Sequence, residues 1–408
     1  MQPTEQPTLS VGGPQSPSGA SFHLGQESAT TASESLADGW HAGIVSGSEQ
    51  IVARGPLAVG SYASVFEQGL DAAQKALDLL AIRTGTALVV EEADSHHIAW
   101  WTEPRGLVLR VVTIADFGVT FSATAIVSDA GGNIVPAAPT SALPWHPSFR
   151  YFRLSQTASD LFDSYRNMYL ALESLLSAVV PQSPKASGGI ESEGKWLRRA
   201  LRTLNTSLPL APYAPANSGD PVASIFDDLY TRTRTAVFHA KSGRPYLLPQ
   251  GRQSRPQVVE SLDRLGRLYL DLAAFHLSAR RPSSGLTYAG FDLATQFSAD
   301  VVVSADDAPV SREDAMINPT GGAVWRLSTR KAPELSSQGL KFWLGEGDAK
   351  QVVADVSPIR RIGLTGDQGL MLVDRLDEPL SLDGVDVFQG QVGVRLVNRQ
   401  QRRFRFRT

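Results

Sequence analysis

Hydrophobic residues recur at helical spacing through residues 148–282 and at strand spacing on either side, so one periodicity cannot account for the chain. In the middle stretch Leu161, Phe162, Tyr165, Met168, Tyr169, Leu172, Leu175, Leu176 and Val179 form one broad stripe, and Pro181 ends the helix they predict. A shorter second helix carries Trp196, Leu197, Ala200, Leu201 and Leu204. The third opens with Asp220 as N-cap and Pro221 at the first helical position, and Gly243 is its expected stop. The fourth runs from about Pro256 to Ala279. Four amphipathic helices with modest connections predict a helical bundle.

The flanks read differently. Residues 1–38 are rich in Ser, Gly, Pro, Gln and Thr and hold no Lys or Arg, the composition of a disordered tail. Residues 39–147 read as an α+β domain, with a helix over Ser64–Leu80. Its strands are expected over Thr86–Val90, His97–Trp101, Gly106–Ile114 and Val119–Val127. Residues 283–408 are punctuated by Gly, Pro and Asp and predict an all-β domain, a sandwich or small barrel. Its expected strands are Asp300–Ser304, Gly322–Ser328, Leu340–Leu344, Gln351–Val356, Leu370–Val373 and Gln391–Val397. The expected fold class is therefore multidomain α+β, a central four-helix bundle flanked by an α+β and an all-β domain.

Bulk properties narrow the chemistry. A net charge of −3 gives no global basic field for nucleic acid, although a local patch remains open. The absence of cysteine excludes disulfides, thiol catalysis and cysteine zinc sites. No apolar run reaches the length of a membrane span and no secretory signal opens the sequence, so the expectation is a soluble, cytoplasmic protein without membrane partners. No P-loop or Gly-x-Ser-x-Gly elbow occurs, which leaves nucleotide hydrolysis and serine hydrolysis unsupported.

Near the end of the third helix, Asp227-Asp-Leu-Tyr-Thr-Arg-Thr-Arg-Thr-Ala-Val-Phe-His239 places two arginines before a histidine. Arginine grips phosphate bidentately and histidine moves protons near neutral pH, a pairing suited to a phosphodiester. At ~100° per residue, Arg232 and His239 would share a face, whereas Arg234 would lie about 140° from His239 unless the helix unwinds. The bland alternative pairs the arginines with Asp227, Asp228 or Glu173 and makes His239 a cap of its own helix. Glu173, in an apolar context, either orients the arginines or His239 or lies at the solvent edge.

The helical segments resemble a HEPN domain, specifically the Apea-like branch and its relatives. The matching pieces are Tyr165-Arg-Asn-Met-Tyr-Leu-Ala-Leu-Glu173, Glu193-Gly-Lys-Trp-Leu, Leu229 through Lys241, and Gly243-Arg-Pro-Tyr-Leu-Leu-Pro249. The family's motif is an arginine followed, after four to six residues, by a histidine; Arg234 satisfies it with four intervening residues and Arg232 with six. The resemblance implies a homodimer with the motif facing a cleft between subunits. It also implies a metal-independent ribonuclease without cofactor, of the kind found in toxin–antitoxin and antiphage systems, or else a non-catalytic binding module. Under it His239, Arg234, Arg232 and Glu173 are the catalytic candidates, and Arg166, Lys241 and Arg244 the RNA-binding ones. Thr235 departs from the Asn, Asp or His often found after the motif arginine.

Three weaker signals favour structural explanations. Glu91-Glu-Ala-Asp-Ser-His-His97 gathers possible metal ligands but falls between strands, where a polar turn is expected. His276 continues an apolar helical line. The alternating Arg and Phe of Arg399–Arg407 fit a final edge strand more simply than an RNA-binding strip, and the β domain is left as a possible partner-recognition module.

Overall fold

The computed structural model describes residues 9–10, 16–57, 60–118, 131, 143–186, 188–240, 246–251, 254–279, 286–306, 324–332, 335–366 and 369–397. The first elements along the chain are β1 (Leu9–Ser10), β2 (Ser18–His23), β3 (Ala32–Ser35), β4 (His41–Ile44), β5 (Gln50–Gly55), α1 (Tyr62–Thr84), β6 (His96–Glu103) and β7 (Gly106–Phe117). Then come α2 (Pro147–Thr157), α3 (Leu161–Val179), α4 (Glu193–Leu204), a 3-10 turn (Ala211–Tyr213) and α5 (Pro221–Phe226). A π-helical stretch (Asp227–Arg234) continues α5 into α6 (Thr235–Phe238), and α7 (Arg255–Leu277) follows. The remaining elements are α8 (Tyr288–Ala294), β8 (Asp300–Ser304), β9 (Val324–Arg326), β10 (Ser328–Lys331), β11 (Leu340–Asp348), α9 (Ala349–Asp355), β12 (Ile359–Gly366), β13 (Gly369–Ser381) and β14 (Val387–Leu396).

The fold is mixed α+β and divides into two compact units, one from the described residues up to 118 and from 286 onward, the other from those between 131 and 279. This corrects two expectations. The segment expected to be a disordered tail, 1–38, supplies β2, an interior strand between β5 and β6, and the edge strand β3. Its small residues are required there: a Cβ on Gly19 would overlap the Trp100 ring and the Ala53 carbonyl. The expected all-β domain over 283–408 is not a unit of its own. Its strand β14 runs parallel to β7 from the first part of the chain, with Arg110 opposite Gln389.

The strands of the sheet unit form two sheets among the described residues, in the orders β10-β11-β14-β7-β6-β2-β5-β4-β3 and β1-β13-β12-β8-β9. Successive side chains on a strand face opposite sides, and Trp100 and Trp101 of β6 illustrate it. Trp100 enters the core between the two sheets with Leu109, Val111, Val301, Ile362 and Phe388. Trp101 enters the core beneath α1 with Phe22, Val65, Phe66 and Leu70. Ser61 caps α1, accepting from Ser64 N–H, and Gly85 closes it in the left-handed region at φ 72°. The segment Gln351–Val356, expected as a strand from its valines, lies mostly in α9, whose N-cap Asp348 accepts from Lys350 N–H. Thr86–Val90 contributes only a bridge from Val90 to Leu24. The expected strand Val119–Val127 and the Arg/Phe run at 399–407 lie outside the described residues.

Polar residues link β13 to the larger sheet. His23 Nδ1 lies 2.8 Å from Asp377 Oδ2, and His96 Nδ1 lies 3.3 Å from Asp374 Oδ2. Gln50 Nε2 also donates to Asp377, Thr113 to Asp374 and Ser48 to Glu378. The hydrogen bond to Asp377 raises the His23 pKa against its burial, with Glu49 and Glu91 adding to the effect. Burial alone would lower His96, but Asp374, Glu92 and Asp377 together raise it. A raised histidine pKa contributes stability that is fully present below the unfolded value of about 6.5 and is lost as pH rises through the folded value. Chemical denaturation should therefore show stability falling above about pH 6.5, and His23→Gln with His96→Gln should flatten that fall. An unchanged slope in the double variant would rule out these pairs as its source.

In the helical unit, α3, α4, α5, α6 and α7 share one core that includes Tyr165, Met168, Leu172, Trp196, Leu201, Ile225, Leu229, Leu265 and Leu272. The four expected helices are present, and α2 adds a further one. Asp160 caps α3 by accepting from the N–H groups of Phe162 and Asp163, and Asp220 caps α5 by accepting from Ala223 N–H.

Candidate functional site

The third helix departs from α geometry where the Arg/His motif lies. In the π stretch hydrogen bonds span five residues, so Thr235 N–H donates to the Tyr230 carbonyl. The side chains follow the same repeat. Arg232 Nε lies 2.9 Å from Asp227 Oδ2, five residues back, a pairing that an α-helix would set about 140° apart. The stretch is anchored on two sides. The Tyr165 hydroxyl donates to the Leu229 carbonyl at 2.8 Å, and Arg264 of α7 grips buried Asp228 through Nε at 2.9 Å and Nη2 at 2.8 Å.

This winding separates the two motif arginines. Arg232 is exposed and engaged with Asp227, which is the bland alternative for that residue. The expected Arg232–His239 alignment assumed α geometry throughout and does not apply across the π stretch. Arg234 points elsewhere. Its side chain is 20% exposed, its Nη2 lies 2.8 Å from Glu193 Oε2, and its guanidinium sits 5.1 Å from the Tyr230 ring, 5.2 Å from Phe238 and 5.7 Å from Tyr169. Arg234 Nε is buried without an acceptor among the described residues.

Arg166 approaches Phe238 as well. Its Nη2 donates to the Val237 carbonyl at 3.1 Å, its Nη1 to Asp163 at 2.9 Å, and its guanidinium lies 5.8 Å from the Phe238 ring. It thus caps the end of α6, where carbonyls lack helical partners. His239 follows in extended conformation at φ −134° and ψ 122°, exposed, and makes no hydrogen bond to another described residue. Its side chain therefore does not cap the helix. Lys241 and Arg244 lie outside the described residues.

Glu193, at the start of α4, is the residue that sequence reasoning missed. It accepts from Arg234 and from the Tyr169 hydroxyl at 3.1 Å, the orienting position expected for Glu173. Glu173 is half-buried and makes no ion pair with Arg234 among the described residues, although it feels that cation's field. Only the quoted run Glu193-Gly-Lys-Trp-Leu carried a signal for this acid, because its proximity to Arg234 depends on how α4 packs against α5 and the π stretch.

Burial, then repulsion from Glu193, raises the Glu173 pKa, and Arg234 only partly opposes them. A raised carboxyl contributes stability that is present below its unfolded value and lost as pH rises through its folded one. Glu173→Gln should thus gain stability relative to the unmodified chain between about pH 4 and 8, with no difference at the acid end. Denaturant titrations across that range would refute the effect if the two curves stayed parallel.

Among the described residues, His23, Glu49 and Asp377 form the group able to hold a metal ion, with ligand atoms within 4.8 Å of one another. His23 and Asp377 already satisfy each other through their hydrogen bond. Within Glu91–His97, residues 93–95 form the expected turn, and His96 and His97 already belong to β6. No helix among the described residues is long and apolar enough to cross a membrane. No family model matches the chain, and no match is found among the curated proteins or the solved structures.

Proposed function

We propose that the helical unit is a HEPN-type endoribonuclease that cleaves RNA without a metal ion, in a toxin or antiphage role. The observation that supports it best is the approach of two guanidiniums, Arg166 and Arg234, to Phe238, the residue before an exposed imidazole at His239. A ribose 2′-oxygen attacks the adjacent phosphorus, and the bond to the 5′-oxygen of the next nucleotide breaks. The 2′-hydroxyl gives up a proton and the leaving oxygen gains one, with His239 performing one of these transfers and water the other. The products are a 2′,3′-cyclic phosphate and a free 5′-hydroxyl. Arg166, at 41% exposure, is the more accessible cation for charge developing on the phosphate, and Arg234 supplies field from behind it. The resemblance to the family assigns the cleft to a homodimer. The test is RNA cleavage by the purified protein in excess chelator, with the product ends identified. Activity that disappears with chelator, or 5′-phosphate products, would exclude this chemistry.

A second reading rests on the enclosure of Arg234 by Glu193 and three aromatic rings. Such a cation is a packing element, and the unit would then be a non-catalytic dimerisation module, with the β-rich part recognising a protein partner. Exposed apolar residues of the same unit, Trp145, Tyr151, Leu154 and Phe275, suit such contacts. This reading expects a stable dimer without turnover, and an Arg234→Ala variant that loses stability.

A further inference from the structure

On the α1 side of the larger sheet, a row of polar residues occupies positions where a buried strand would ordinarily carry apolar ones. The register sets Arg110 of β7 opposite Gln389 of β14, and Gln389 opposite Glu346 of β11. Gln391 stands two residues further along β14, on the same face. Arg110 is 9% exposed, Gln389 4% and Gln391 3%. Arg110 Nε donates to Gln389 Oε1 at 2.8 Å and Nη1 to Gln391 Oε1 at 3.3 Å. The guanidinium lies 4.3 Å from the Tyr62 ring and 5.3 Å from the Trp101 ring.

Both acceptors are neutral amides. The carboxylates whose fields reach Arg110, Glu103 and Glu346, are each bonded to Arg105, and Glu346 also accepts from Gln389 Nε2 at 2.7 Å. Burial lowers the Arg110 pKa in spite of those fields, and Arg330 adds repulsion. A guanidinium carries five N–H donors, and Arg110 Nη2 has no acceptor among the described residues. Buried cations are ordinarily paired with an anion, because desolvation is otherwise uncompensated. Glutamate at 391 would place a carboxylate against Arg110, yet the chain carries the neutral isostere.

We propose that Arg110 binds an oxyanion, the phosphate or carboxylate group of a small ligand, on the Nη edge that its glutamine partners leave without an acceptor. Gln389 and Gln391 fix the fork in orientation, while Tyr62 and Trp101 fix its plane. Planar, bidentate recognition of this kind is what arginine provides and lysine does not. The site lies in the sheet unit and does not depend on the ribonuclease reading of the helical unit.

The experiment uses the full chain, with thermal unfolding and calorimetric titration against inorganic phosphate and against succinate, and sodium chloride at matched ionic strength as control. A saturating oxyanion is expected to raise the midpoint by about 2–8 °C over chloride, and whichever of the two binds identifies the ligand's anionic group. Gln391→Glu, which supplies an internal carboxylate, is expected to weaken that binding at least about tenfold while raising the ligand-free midpoint. Arg110→Lys should keep the charge and lose the binding. Equal affinity in the unmodified chain and Gln391→Glu would place the anion elsewhere and overturn the proposal. So would a response to both oxyanions no greater than the response to chloride.

Discussion

His239→Ala is expected to lower chelator-resistant RNA cleavage by about 10²–10⁴-fold, the range for losing a positioned proton-transfer group. The variant should remain folded, because the imidazole is exposed and makes no hydrogen bond to another described residue. Its stability should stay within about 0.5 kcal/mol of the parent, so lost activity cannot be ascribed to unfolding. The arginines should separate in the same assay. Arg166→Ala should cost about 10²–10³-fold if its guanidinium meets the developing phosphate charge. Arg232→Ala, which removes a surface cation that does not approach the Phe238 ring as Arg166 and Arg234 do, should leave the rate within about threefold, the size of a surface change. Activity that survived His239→Ala, or fell equally with Arg232 and Arg166, would contradict these assignments.

The largest expected loss of stability is at Asp228. Its carboxylate is 5% exposed and accepts two donors from Arg264, itself 17% exposed. Asp228→Ala would leave that guanidinium enclosed with only Glu260, 3.7 Å away and 69% exposed, as a carboxylate partner among the described residues. Breaking such a buried pair costs about 3–5 kcal/mol, whereas replacing both members with apolar residues is often neutral. Asp228→Ala should therefore shift the denaturant midpoint strongly, and Asp228→Leu with Arg264→Met should restore most of it. A single variant as stable as the parent would mean that the pair does not anchor the π stretch.

What the sequence disclosed depended on how local each signal was. Capping at Asp220, the stripe of α3 and the strand pattern of β6 and β7 are properties of neighbouring residues, and their elements formed where those patterns predicted. The segment around β2 misled because Ser18, Gly19, Ala20 and Ser21 have the composition of a linker. The missing side chain of Gly19 instead admits the Trp100 ring, a partner about 80 residues away that also donates from Nε1 to the Ser16 carbonyl (separation 84). The site followed the same rule. The run containing Arg234 and His239 was legible, while the π stretch that separates Arg232 from Arg234 is held by Tyr165 and Arg264, contacts from distant parts of the chain. Glu193 could be joined to Arg234 only through packing, at a separation of 41 residues.

The pairing of β7 with β14 also sets an order in time. Arg110 and Gln389 are neighbours across the sheet but 279 residues apart along the chain. At a synthesis rate of about 5–20 residues per second, β7 would leave the ribosome about 15–55 s before the strand that completes it. During that interval its edge is a template for any other extended chain, the hazard that slow, non-local strand pairing brings. The helical unit has no such wait, because its described residues come from one continuous stretch between the two halves of the sheet. A nascent chain therefore carries a completed helical core while its sheet is still open. Chaperone occupancy should be greatest in that window, and its end should coincide with the emergence of β14.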